Sequence, residues 1–244
     1  MNWGYIMGAG GKTPVPFNLD VKTHCHALLT GGSGSGKSYA LLYLLGCLLQ
    51  DDPQVKVYFC DFKKSEDFAF LSEYPYYYGG DDCYRGVMEY YESFCNTRKQ
   101  GKCVRRHLLV YDEYSASISY YATKDKIDKT KKSNEILSAV AEILMLGRGI
   151  SFGIWTVTQR ADASYYLAGT RDSTMVCIAV GHKSKELKSM LFSDEEIPNK
   201  VYHQGEGCIL ADGYPLQEIV YPRIRNTVDW KKHILRILQR YCDK

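Results

Sequence analysis

The stretch Gly31-Gly32-Ser33-Gly34-Ser35-Gly36-Lys37-Ser38 limits what this chain can fold into more than any other part of it. Its glycines let backbone N–H groups curl inward, and a lysine followed by a hydroxyl completes the pattern G-x-x-x-x-G-K-S. The flanks match what the pattern requires. His26-Ala-Leu-Leu-Thr30 is a short apolar run that predicts a buried strand, and Ser38 to Gln50 carries leucines at 41, 42, 44, 45, 48 and 49, dense enough for a helix buried between layers. A flexible glycine-serine turn needs neither flank; a phosphate-binding P-loop needs both, in this order. Gly31 to Tyr39 are therefore expected to cradle the phosphates of ATP. Lys37 would reach the β- and γ-phosphates, and the Ser38 hydroxyl would bind Mg²⁺ at the helix N-terminus.

Further strands follow at intervals. Gln54 to Cys60 is a β-branched and aromatic run ending at Asp61; His107 to Tyr111 is a third, ending in Asp112-Glu113. Ile150 to Thr158 is a fourth, ending at Gln159-Arg160, and Met175 to Val180 a fifth. Between them lie a mostly helical stretch including Tyr84 to Lys99, after a tyrosine-rich turn region at 74–80, a lysine-rich loop from Thr123 to Ser133, and an apolar helix from Ile136 to Leu146. Cys208 and Gln217 to Tyr221 read as late strands of a hairpin around Asp212-Gly213, before a terminal amphipathic helix from about Val228. Strands alternating with helices predict an α/β fold, RecA-like, with a mainly parallel sheet, helices on both faces and ligands at the carboxyl ends of the strands. The whole of 1–244 reads as one such domain, with a turn-rich lead-in at 1–23 and a closing helix at 228–244.

A hydrolase of this type needs acidic groups at the end of a second buried strand. Asp112 is expected to support the metal with Ser38, and Glu113 to polarise the attacking water as general base. Gln159, just past the fourth strand, suits a sensor touching both the γ-phosphate and that water. Arg148 reads as an arginine finger acting on a neighbouring subunit's ATP. Asp61 either touches the nucleotide site, caps a helix or pairs with Lys63.

Composition excludes several alternatives. With 45% hydrophobic and 24% charged residues the chain is expected to fold throughout, and a net charge of +3 is too mild to signal nucleic-acid binding in bulk. Nucleic acid would have to meet a local patch, for which there are two candidates: Arg98, Lys99, Lys102, Arg105 and Arg106, and Lys124, Lys126, Lys129, Lys131 and Lys132. The nine cysteines lack CxxC spacing and read as reduced thiols of a cytoplasmic protein rather than a disulfide frame or zinc site. No stretch reaches the ~18 apolar residues of a membrane span.

These residues resemble the motor domain of the FtsK/SpoIIIE family, in the HerA-FtsK group of P-loop ATPases. The family's glycine-bearing segment followed by Pro-His is similar to Met7 to Pro16 and Cys25-His26; its Asp-Pro-Lys strand end is similar to Asp61-Phe62-Lys63, with Phe62 in place of proline. Its Walker B strand looks like Val110-Tyr-Asp112-Glu113. Its Gly-Arg turn before Thr-Gln-Arg looks like Gly147-Arg148 and Thr158-Gln159-Arg160, and its late Gly-x-Gly like Gly205-Glu-Gly207. The resemblance implies an ATP-driven ring, a homo-oligomer of six, that threads double-stranded DNA, with Arg148 matching the group's arginine finger. Without membrane spans or a C-terminal DNA-reading winged helix, a compact pump of a plasmid, conjugative element or virus is expected, recruited by a membrane or capsid partner. The alternatives are a coupling ATPase of conjugation or protein secretion, which moves or recruits a protein substrate, and a nucleotide-gated binding module, which Glu113 argues against.

Overall fold

The computed structural model describes residues 1–7, 13–101, 103–167, 169–193, 195–198 and 200–242. The glycine-bearing segment 8–12 and Lys102 therefore lie outside the described residues. In chain order the elements are β1 (Asn2–Met7), β2 (Pro14–Asn18), β3 (Ala27–Thr30), α1 (Lys37–Asp51), β4 (Lys56–Asp61), β5 (Tyr77–Gly79), α2 (Cys83–Gln100), β6 (His107–Asp112), α3 (Tyr114–Asp128), α4 (Lys132–Leu146), β7 (Phe152–Thr158), β8 (Val176–Val180), α5 (Lys185–Leu191), β9 (Glu206–Ala211), β10 (Gln217–Val220) and α6 (Thr227–Arg240).

All ten strands join one sheet in the order β2-β1-β10-β9-β8-β3-β7-β6-β4-β5. From β8 to β5 neighbours are parallel, and from β8 outward to β2 they are antiparallel. The parallel block is covered on both faces, which explains why its strands read as continuous apolar runs: every residue of β3 and of β7 is buried. One core joins α1 and α6 to the sheet and contains the leucines of α1; a second joins α2, α3 and α4 to the opposite face, and a smaller third lies around Leu28, Ala179 and Phe192.

The α1–α6 contact depends on a missing side chain. A Cβ at Gly46 would lie 2.2 Å from the Trp230 ring. The indole occupies that space instead and donates its Nε1–H to the Leu42 carbonyl at 3.1 Å.

Four expectations change. The lead-in at 1–23 is not all turn: β1 and β2 form a hairpin that extends the sheet, with Pro14 and Pro16 on the edge strand, where a missing N–H is tolerated. The region at 74–80 holds the short strand β5, paired in parallel with β4. The fourth parallel strand starts at Phe152 rather than Ile150, because Gly147–Ile150 is a turn of 3₁₀ helix.

The lysine-rich segment from Thr123 to Ser133 is also not a loop. Helix α3 runs to Asp128, and only 129–131 separate it from α4. Asp125 makes so short a turn possible. Its carboxylate accepts from Thr130 Oγ1 at 2.6 Å, from the backbone N–H of Lys132 and Ser133 at 2.9 Å each, and from Ser133 Oγ at 2.6 Å.

Two imidazoles, the buried His26 and the half-buried His107, are held without charge. Burial lowers the pKa of His26 and of His107 from 6.5 to about 4, helped by Arg148 for His26 and by Lys56 and Arg105 for His107. His26 Nδ1 accepts from the Ile154 N–H at 3.1 Å, so the neutral ring fastens the lead to β3 against β7. A depressed histidine pKa means that the unfolded chain binds more protons. This contribution is complete above pH 6.5 and is lost as the pH falls towards 4, on the order of 3 kcal/mol for the deeply buried His26. The melting temperature is therefore expected to drop across that window, and a His26→Asn variant, compared with wild type by calorimetry at pH 7.5 and 4.5, to show a smaller drop.

Candidate functional site

The glycine loop leaves β3 at the carboxyl edge of the parallel block, between β8 and β7, where Thr30 is level with Ala179 and Thr158. Gly36 closes the loop with φ 92°, a left-handed conformation, and a Cβ there would lie 2.8 Å from the Gly205 nitrogen. The Gly205 N–H donates to the Ser35 carbonyl at 3.2 Å, so the turn before β9 braces the loop from outside. Gly36 caps α1 with no side chain, which leaves the first-turn N–H groups directed at the cleft for an anion.

Lys37 folds back across this cradle. It is only 8% exposed, and its Nζ donates to the Gly31 carbonyl at 3.4 Å and lies 3.7 Å from Glu113 Oε1. Tyr39 lines the same cleft, with its hydroxyl donating to the Pro222 carbonyl at 3.0 Å and accepting from the Ile224 N–H.

The acidic pair arrives from β6, separated from β3 by β7. Asp112 is 4% exposed, and burial raises its pKa to about 7, with the negative charges of Glu113 and Asp61 adding and Lys37 opposing. Asp61 stands level with it on β4. The Asp61 carboxylate accepts from the Ser65 N–H at 2.9 Å and Tyr77 Oη at 3.1 Å, while its buried Oδ1 has no partner; burial raises its pKa too. Two adjacent buried carboxyl groups short of positive charge are an environment that a divalent cation suits. Ser38 and Asp112 are the residues that would hold one. Among the described residues no cluster of three or more His, Cys, Asp or Glu could hold a metal, so phosphate oxygens and water would have to complete its shell.

Glu113 lies just beyond the strand, at the N-cap of α3, with φ 57°. Lys63 Nζ is 3.0 Å from its Oε1, and Gln159 Nε2 donates to Oε1 at 3.2 Å and Oε2 at 3.4 Å. Burial alone would raise its pKa; Lys63, Gln159 and Lys37 outweigh burial and hold it below the usual value. Lys37, Ser38, Asp112, Glu113 and Gln159 thus line a single cleft of about 440 Å³.

Arg148 is apart from this group. It is exposed on the 3₁₀ turn ahead of β7, whereas Gln159 follows the far end of that strand. Seven strand residues put it roughly 20 Å from its own cleft.

Sequence reasoning missed Lys63 as a site residue. It pairs with Glu113, not with Asp61. The Asp61-Phe62-Lys63 segment was the available signal, but nothing in it says which carboxylate the lysine meets. Three arginines of the cluster at 98–106 are committed within the fold: Arg98 pairs with Glu142, Arg105 donates to the Tyr241 carbonyl at 2.5 Å, and Arg106 pairs with Asp52 at 3.1 Å.

No family model matches the chain. Over 188 residues it is 29% identical to the FtsK domain-containing protein YdcQ of Bacillus subtilis, covering 70% of this chain and 37% of YdcQ. The chain is FtsK-like in sequence. Among solved structures, this FtsK-like chain superposes on EssC (ATPases 2 and 3) from Geobacillus thermodenitrificans with a TM-score of 0.73 at 14% identity, covering 99% of this chain and 49% of that one. It superposes on the pCW3 conjugation coupling protein TcpA, solved with ATPγS, with a TM-score of 0.71 at 17% identity, covering 97% and 71%. The FtsK-like chain thus spans well under half of YdcQ and about half of the EssC chain. Among its described residues no helix is long and apolar enough to cross a membrane.

Proposed function

We propose that this chain is an ATP-hydrolysing motor that moves double-stranded DNA, working as a homo-oligomeric ring, a hexamer, in the cytoplasm for a plasmid, conjugative element or virus, with a membrane or capsid partner recruiting it. The observation that carries the reading is the convergence of Lys37, Glu113 and Gln159 on one cleft, with Lys37 and Gln159 each within ion-pair or hydrogen-bond reach of Glu113. The loop from Gly31 to Ser38 receives the phosphates of ATP. Ser38 and Asp112 would hold Mg²⁺, which would supply positive charge against the phosphates. Water attacks the γ-phosphorus, its proton passes to the Glu113 carboxylate, and the bond to the bridging oxygen breaks to leave ADP and phosphate. Gln159 orients the water, and Arg148 stabilises the transition state in the next subunit's cleft. Its distance from its own cleft favours action in trans.

Sequence similarity to an FtsK domain favours DNA as cargo. A third strand annealed to linear duplex DNA is expected to be displaced by the protein with ATP and Mg²⁺, and not with ATPγS. The fold shared with TcpA supports a second reading, a coupling ATPase that moves or recruits a protein substrate. On that reading third-strand displacement fails while a protein partner stimulates hydrolysis.

A further inference from the structure

Glu113 is held by three groups at once. Lys63 Nζ and Gln159 Nε2 lie 3.0 and 3.2 Å from its Oε1, Lys37 Nζ lies 3.7 Å away, and Oε2 also accepts from Gln159 at 3.4 Å. Two of these partners have a competing attraction once nucleotide enters. The Lys37 ammonium is drawn to phosphate oxygens, and the Gln159 amide to the γ-phosphate and the water beside it. Lys63 is different. It lines the same cleft but enters it from beyond the end of β4 rather than from the loop that wraps the phosphates, and the carboxylate it meets there is that of Glu113.

A carboxylate oxygen engaged by an ammonium has less capacity to accept a proton from water. The backbone at Glu113 has φ 57°, a left-handed conformation unfavourable for a non-glycine residue. Contacts, not backbone preference, therefore fix where this side chain sits. The two members of the pair also differ in freedom: the Lys63 side chain is 48% exposed and that of Glu113 8%. The lysine is the member that can swing out.

We infer that Lys63 is a positioning residue that parks Glu113, holding its carboxylate off the attacking water, and that each hydrolysis event requires this ion pair to open. The inference rests on the reading of Glu113 as the general base. It makes Lys63 a brake, whereas a lysine that met the phosphates would be an accelerator, and the two roles have opposite signs in one assay.

The test is steady-state ATP hydrolysis by the full chain carrying Lys63→Met, Lys63→Gln, Lys63→Arg, Glu113→Gln, or Lys63→Met with Glu113→Gln. Lys63→Met and Lys63→Gln are expected to raise kcat about two- to fivefold, the factor equivalent to losing a partly exposed ion pair, with KM little changed. Lys63→Arg, which keeps the charge, is expected to stay near the wild-type rate. The double variant is expected to be as inactive as Glu113→Gln. If Lys63→Met and Lys63→Gln melt like wild type and their kcat falls or does not move, while Glu113→Gln is inactive, the brake is wrong and the base assignment stands. If Glu113→Gln hydrolyses ATP at the wild-type rate, both are wrong.

Discussion

Replacing Lys37 by alanine is expected to lower ATP hydrolysis at least about 100-fold and to weaken nucleotide binding at least about tenfold. The side chain lies almost wholly inside the cleft, spanning from the Gly31 carbonyl to Glu113. Those contacts are weak substitutes for phosphate: a carbonyl at 3.4 Å and a carboxylate at 3.7 Å leave the ammonium ready to exchange partners for a doubly charged terminal phosphate. Its removal also takes away a cation that opposes the raised pKa of Asp112. Binding and turnover should therefore fall together, as measured by titration with a fluorescent ATP analogue and by phosphate release. A variant within fivefold of wild type in both would mean that the loop is not the phosphate site.

Glu113→Gln should separate what Lys37→Ala joins. An amide of the same shape keeps the volume and a hydrogen bond to Gln159 but cannot take a proton. The rate is expected to fall by about 100-fold or more, within the range for loss of a general base. ATP affinity is expected to stay within a few-fold of wild type, because Glu113 meets the cradle at Lys37, 3.7 Å away, and supplies no group that binds phosphate. Single-turnover phosphate release with pre-bound ATP reads the first quantity and equilibrium titration the second. An unimpaired rate would remove Glu113 from the chemistry.

Much of the site could be read from local signals. The glycine loop carries its own pattern, and Asp112, Glu113 and Gln159 each follow a run of consecutive apolar residues that has to be an interior strand of a covered sheet. Placing β7 between β3 and β6 brings these residues together, and that order is a long-range property the runs do not encode. Lys63 shows the limit clearly: its sequence neighbour in charge is Asp61, two residues away, yet the lysine reaches Glu113, fifty residues on, while Asp61 Oδ2 accepts from Tyr77 and the Ser65 N–H.

The misread elements failed for similar reasons. The prolines of β2 argue against a strand except at an edge, and only the sheet order reveals that edge. The end of α3 is rich in lysine and shows no apolar stripe, because Lys124 to Asp128 packs nothing into the core. Four hydrogen bonds at Asp125 instead fasten it to the turn and the start of α4. The basic cluster at 98–106 looked like a free patch because its partners, Glu142, Asp52 and the Tyr241 carbonyl, are far away in sequence.

The proposed role as a DNA motor is tested most directly by the rate of ATP hydrolysis with and without linear duplex DNA, at low and at moderate salt. Contacts with the phosphate backbone weaken steeply as salt rises. Stimulation by duplex at low salt that fades at higher salt, and is absent in Glu113→Gln, is the expected result; a rate that duplex DNA leaves unchanged at low salt would contradict it.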